Sequence, residues 1–119
     1  MHTSETTVSG DIKFPMETPS FANATVYIRL EGTGRMDAPA YIVNQQVLRD
    51  VSYRAEQGAR LEFHLSGRME NPQESYQLRV HVDLDGDGLI SSGDYISMES
   101  YPILPQETPL HLTVQVRKI

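Results

Sequence analysis

From Asp83 the chain reads Asp-Leu-Asp-Gly-Asp-Gly-Leu-Ile-Ser-Ser-Gly-Asp, with carboxylates at positions one, three, five and twelve of a twelve-residue segment and glycine at six. This is the ligand spacing of an EF-hand calcium loop. A hard divalent cation takes six to eight oxygens at about 2.3 to 2.6 Å, and three alternate Asp side chains on a tightly wound segment converge on one point. The spacing predicts a Ca²⁺ site built from Asp83, Asp85, Asp87, the backbone carbonyl of Leu89, Ser91 (directly or through water) and Asp94. Gly88 allows the sharp turn that brings the Leu89 carbonyl inward, and Ile90 is expected to point away and anchor the loop on the core.

Position twelve departs from the usual pattern, because Asp94 is one methylene shorter than Glu and reaches an ion with both oxygens less easily. Dockerin-type loops, which these residues also resemble, use Asp there. An affinity between about 10⁻⁶ and 10⁻³ M follows from such a ligand set. The competing reading is a solvated Asp-Gly hairpin turn. A tight turn needs only two such residues, however, and four acids within twelve positions repel one another unless something neutralises them. The flanks, Gln77 to Val82 and Tyr95 to Met98, alternate like strands rather than helices. Without a helix pair to open, a structural ion is expected rather than a switch.

Other chemistry is sparse. His64, His81 and His111 fall at outward-facing positions of three expected strands and could gather a transition metal if they shared a face. Lone surface histidines are the commoner outcome. The chain has no cysteine, which removes disulfides, thiolate metal sites and thiol nucleophiles. No Gly-x-Ser-x-Gly elbow, Walker loop or dinucleotide fingerprint occurs, so no catalytic residues are assigned and the chain is expected not to be an enzyme. The net charge of −6 argues against nucleic acid as a partner. Most of that charge is local: with the four loop aspartates set aside, twelve acids face ten bases.

These residues need a scaffold, and the rest of the chain reads as short strands. Val8, Ile12 and Phe14, then Val26, Ile28 and Leu30, Leu61, Phe63 and Leu65, Leu78, Val80 and Val82, Ile96 and Met98, and Leu110 to Val116 alternate between turn-forming residues. Tyr41 to Val47 is apolar at its start and polar in its middle. A helical stripe through Val43, Val47, Leu48 and Val51, ending at Gly58, competes there, but the β-formers of Tyr41-Ile42-Val43 and Val51-Ser52-Tyr53 oppose it. The expectation is all-β: a flexible lead-in at 1–6 and a single β-sandwich at 7–119, with about seven or eight short, mostly antiparallel strands. No run approaches the eighteen or so apolar residues of a membrane span, and the opening residues lack the basic and apolar regions of a signal peptide. A cytosolic protein and a mature secreted domain would both begin this way.

Gly10-Asp11-Ile12, Ala24 to Glu31, and Arg35-Met36-Asp37-Ala38-Pro39-Ala40, followed by Leu61 to Leu65, Tyr76 to Val80 and Tyr101 to Leu104, resemble the YscW/YbaY family of small bacterial lipoproteins. The likeness spans about residues 8 to 116, and its best marker is the Leu-Glu, small residues, Asp-Ala-Pro-Ala block. It implies a β-sandwich outside the cytoplasm, with some members acting as pilotins or chaperones for an outer-membrane secretin. The chain lacks the lipobox cysteine, which a removed leader would explain, and carries the acidic loop where the family has an ordinary hairpin. The leading expectation is a non-catalytic extracytoplasmic domain whose loop is pinned by Ca²⁺. The alternative is a pilotin-like module that binds a protein partner at the cell envelope, by strand addition at the polar run Asn44-Gln45-Gln46. A third reading, calcium-assisted glycan binding, would use Tyr95 and Tyr101.

Overall fold

Alternating apolar residues become strands because one face of each can be buried while the ladder satisfies the backbone. The structure, a computed structural model, describes residues 6–32, 41–55, 61–67, 75–97, 99, 101–103 and 110–119. Among these are eight strands and no helix: β1 (Thr6–Lys13), β2 (Phe21–Gly32), β3 (Tyr41–Tyr53), β4 (Leu61–Gly67), β5 (Tyr76–Asp83), β6 (Tyr95–Ser97), β7 (Tyr101–Ile103) and β8 (Leu110–Lys118). The all-β expectation and its strand number hold. The 35–40 block, Gly58, Met98, Ser100, Leu104 and residues 1–5 of the lead-in lie outside the described residues.

The strands form one sheet in the order β3-β2-β5-β6-β8-β1-β4, with β7 also paired to β5. β8 links its two halves: Leu110 to Gln115 run parallel to β1, and Val116 to Lys118 run antiparallel to β6. The close approach of β1 and β8 requires Gly10, where any Cβ would lie 1.7 Å from the carbonyl oxygen of Leu112. The inward faces supply the core: Val8, Ile12, Val26, Ile28, Leu30, Phe63, Leu65, Leu78, Val80, Val82, Val114 and Val116 are all buried. Phe14, Phe21, Tyr53 and Tyr95 close one end as a ring cluster, with centroids 4.8 to 6.2 Å apart.

The sheet curls until its end strands, β3 and β4, meet in a barrel-like shape. The helical stripe proposed for 43–51 is replaced by β3, which runs past Val47 to Tyr53. Register shifts between β2 and β3 let the long strand bend, and Asn23 and Asp50 adopt positive φ (61° and 55°) in that region. The half-burial of Val43, Val47, Leu48 and Val51 across this bent edge blurs the two-residue period.

Candidate functional site

β5 delivers the first residue of the acidic loop. Held between β2 and β6, the strand ends at Asp83, paired with Thr25 and fully buried. Gly86 and Gly88 then adopt positive φ (76° and 75°), which a side chain would oppose. The tight winding folds the backbone around the Asp83 carboxylate: Oδ1 accepts the N–H of Gly86 at 3.0 Å and Oδ2 that of Gly88 at 2.7 Å. Asp85 Oδ2 accepts the Ser91 hydroxyl at 2.8 Å, and Asp87 Oδ1 accepts the Leu89 N–H at 2.9 Å. The structure brings carboxylate oxygens of Asp83, Asp85 and Asp87 within 4.8 Å of one another.

Asp94 is occupied differently. It is buried, and its Oδ2 lies 2.8 Å from Nε2 of His81. Its Oδ1 accepts the Leu84 N–H at 3.0 Å, and Oδ2 also faces the Ser91 N–H at 3.2 Å. The imidazole donates this bond in the tautomer that carries its proton on Nε2. Asp94 thereby closes the loop through β5 itself. Main-chain bonds from Ile119 to the Asp94 carbonyl (2.9 Å) and from Gly93 to the Ile119 carbonyl (2.7 Å) tie the same point to the end of β8. His81, Asp83 and Asp94 form a second, wholly buried trio that shares Asp83 with the first.

Crowding perturbs the acids in opposite directions. Burial raises the pKa of Asp83, and the neighbouring Asp85 and Asp94 raise it further, against the two glycine N–H groups that lower it. Asp85 is pulled down to about 2, first by its hydrogen bond with Asp83 and then by the Ser91 hydroxyl. Opposite shifts of this kind are how two adjacent, interacting carboxylates titrate.

Three local expectations change. His81 occupies the face of β5 opposite Val80 and Val82, as its position implies, yet it is buried, because the loop folds back over it and Tyr27 stacks on its ring at 5.7 Å. It therefore joins neither His64 nor His111, which are exposed on either side of Ser9 on β4 and β8. Ile90 does not anchor the loop on the core: it is 55% exposed, beside Tyr27, Arg29 and His81 on the outer face of β2 and β5. The cause is the same, since a loop leaving at Asp83 folds outward over the sheet rather than inward. Leu89 is exposed too. The glycan reading loses Tyr95, which is buried against Phe14, while Tyr101 uses its hydroxyl to accept the Gln115 N–H at 2.8 Å. The His81–Asp94 contact was missed from sequence, although the alternation of β5 places His81 on the side from which the loop returns.

The polar run Asn44-Gln45-Gln46 lies on β3 at the junction with β4. Its strand edge is not bare. The Asn44 amide donates to the Ser66 carbonyl and accepts the Gln45 N–H at 2.8 Å, and Gln46 Oε1 accepts the His64 N–H at 2.9 Å.

No protein-family model matches the chain, and no curated protein matches it. Among solved structures it is similar to an alternative pilotin from the type II secretion system of Vibrio cholerae, with a TM-score of 0.73 and 17% identity over 98% of each chain. The chain has a pilotin-like all-β fold. At this identity the likeness is one of architecture, and it spans the whole chain rather than a fragment.

Proposed function

We propose that the chain is a pilotin-like, non-catalytic module that binds a protein partner of a secretion system at the cell envelope. The observation that carries this reading is the end-to-end structural match to a type II secretion pilotin. The YscW/YbaY resemblance, drawn from sequence, points the same way and supplies the partner class: an outer-membrane secretin, met outside the cytoplasm. The test is titration of the purified protein with the secretin encoded in the same genome. Saturable one-to-one binding is expected. Absence of binding, with both proteins folded, contradicts the reading.

A second reading concerns the loop and is compatible with the first. Asp83, Asp85 and Asp87, with Ser91 beside them, fit Ca²⁺ in oxygen type and spacing. Asp94 serves the ion at one remove, by tying the loop to His81. A bound cation would neutralise the carboxylates and fix the β5–β6 connection, and its role is structural. Calorimetry of the metal-free protein with Ca²⁺ and Mg²⁺ decides it. A single Ca²⁺ site is expected, and no heat with either ion contradicts the reading.

A further inference from the structure

Along a strand, alternate residues direct both backbone groups to the same side. The His64 N–H and the Ser66 carbonyl both point from β4 toward β3, so Glu62, His64 and Ser66 present their backbone groups to that side. Leu61, Phe63 and Leu65 present theirs to β1, with which β4 is in register from Thr6–Gly67 to Ile12–Leu61. Among the described residues β4 pairs with β1 alone. β3 pairs with β2 alone. The two end strands thus meet without a ladder.

What lies between them imitates a strand. The Asn44 amide accepts an N–H from β3, at Gln45, and donates an N–H to a carbonyl of β4, at Ser66. An interposed peptide unit makes these same two bonds, one on each side. The Gln46 amide supplies a further acceptor to β4 at His64. These are exposed, neutral side-chain bonds, each worth about 0.5 to 1.5 kcal/mol net against water. A main chain with a continuous ladder competes well for the same groups.

We propose that the β3–β4 seam is a docking slot for an extended segment of the protein partner, which pairs by main chain along Glu62 to Ser66 and displaces the Asn44 and Gln46 amides. The inference rests on the protein-binding reading above. It also sets the chemistry of the segment. One face of an added strand meets the inward side chains of Phe63 and Leu65, and the other meets the outward Glu62 and His64. The segment therefore alternates apolar and polar residues. Exposed Ile42, near the start of β3, adds apolar surface toward the end of the seam where Gly67 lies against Val43 and Asn44, whereas the Tyr41 ring lies over Gly32 of β2.

The seam can be locked. A Cβ at Gly67 stands 3.5 Å from the Cβ of Asn44, at the near end of the range of about 3.5 to 4.5 Å that a disulfide spans, and 3.2 and 3.3 Å from Val43 Cγ1 and Leu30 Cδ2, which give by a few tenths of an ångström to admit it. The chain has no cysteine to interfere. The experiment uses the full chain carrying Asn44→Cys and Gly67→Cys, titrated by fluorescence anisotropy with labelled short peptides tiling the whole cognate secretin. The reduced form is expected to bind one of the peptides, oxidation to weaken it about tenfold or more, and reductant to restore it. In parallel, Asn44→Ala with Gln46→Ala, which frees the seam without a crosslink, is expected to bind the same peptide several-fold tighter than the unsubstituted chain. Equal affinity of the oxidised and reduced forms overturns the slot while leaving the module reading intact, because the peptide still binds. Unchanged or weaker binding by the double-alanine chain overturns it as well. If no peptide binds but the folded secretin does, the slot is wrong and the module reading stands; if neither binds, both fall.

Discussion

The acidic loop and the β3–β4 seam solve one problem in two ways. In each, side chains take hydrogen-bonding positions that a regular ladder leaves unfilled. In the loop they are carboxylates: Asp83 caps Gly86 and Gly88, and Asp94 holds His81 and the Leu84 N–H in a buried setting. In the seam they are neutral amides at the surface, from Asn44 and Gln46. Burial makes the contacts of Asp83 and Asp94 costly to break, and like charge crowds the cluster. Exposure and neutrality make the seam contacts exchangeable for another backbone. The same device thus yields a fixed corner at one place and a replaceable joint at the other.

Substitutions can break this contrast, and the largest effect belongs to Asp94→Ala. It leaves the His81 imidazole and two loop N–H groups without their acceptor, and removal of one partner from a buried pair costs about 3 kcal/mol. Denaturant unfolding checks it. A loss below about 1 kcal/mol would mean that the corner is not fixed by this pair.

Next in size is the dependence on calcium. With Ca²⁺ at about a hundred times its dissociation constant, binding adds about 2.7 kcal/mol of stability. Asp87→Asn, at an exposed position, should forfeit that increment in calcium and melt like the parent in chelator. Equal shifts under both conditions would leave the ion without a role in the fold.

The pH response sharpens the same point. A carboxyl whose folded pKa lies above its unfolded value favours folding when protonated, so the contribution of Asp83 is present below the unfolded pKa and lost as pH rises through the folded one. Metal-free protein at neutral pH therefore carries a charge cost at Asp83 that mild acid relieves. Asp85 acts oppositely: its contribution is present above the unfolded pKa and fades as pH falls toward about 2. Lowering the pH from neutral toward the Asp83 pKa should raise the melting temperature of the chelated protein and lower that of the calcium-loaded one. Melting curves that move together would contradict an ion on these carboxylates.

The smallest stability effect is expected at the seam. Asn44→Ala with Gln46→Ala removes exposed bonds and should cost at most about 1 kcal/mol per bond, while hydrogen exchange at His64 accelerates. A loss as large as that of Asp94→Ala would make the seam structural and erase the contrast.

Much of the scaffold was legible in the sequence. The alternations in β2, β4 and β8, and in β5 up to Val80, reflect faces that are buried on one side, and period two reports that directly. β3 past Val47 was not, because bulges shift its register and half-burial weakens the pattern. β7 is three residues long and carries Pro102, too short for any period. Ligand spacing brought out Asp83, Asp85 and Asp87 because their convergence is local. The burial of His81 and the exposure of Ile90 depend on which way the loop folds over the sheet, which spacing does not encode. Similarly, Asn44 and Gln46 read as polar edge residues, but their acceptor and donor lie on β4, about twenty residues on, and only the curl of the sheet brings them together.

The most direct measurement is calorimetric titration of the full chain with the cognate outer-membrane secretin. The expected result is one-to-one binding with a dissociation constant in the micromolar range or tighter, equivalent to about −8 kcal/mol. No saturable heat with both proteins folded, and no complex by sedimentation at the same concentrations, would contradict a pilotin-like role.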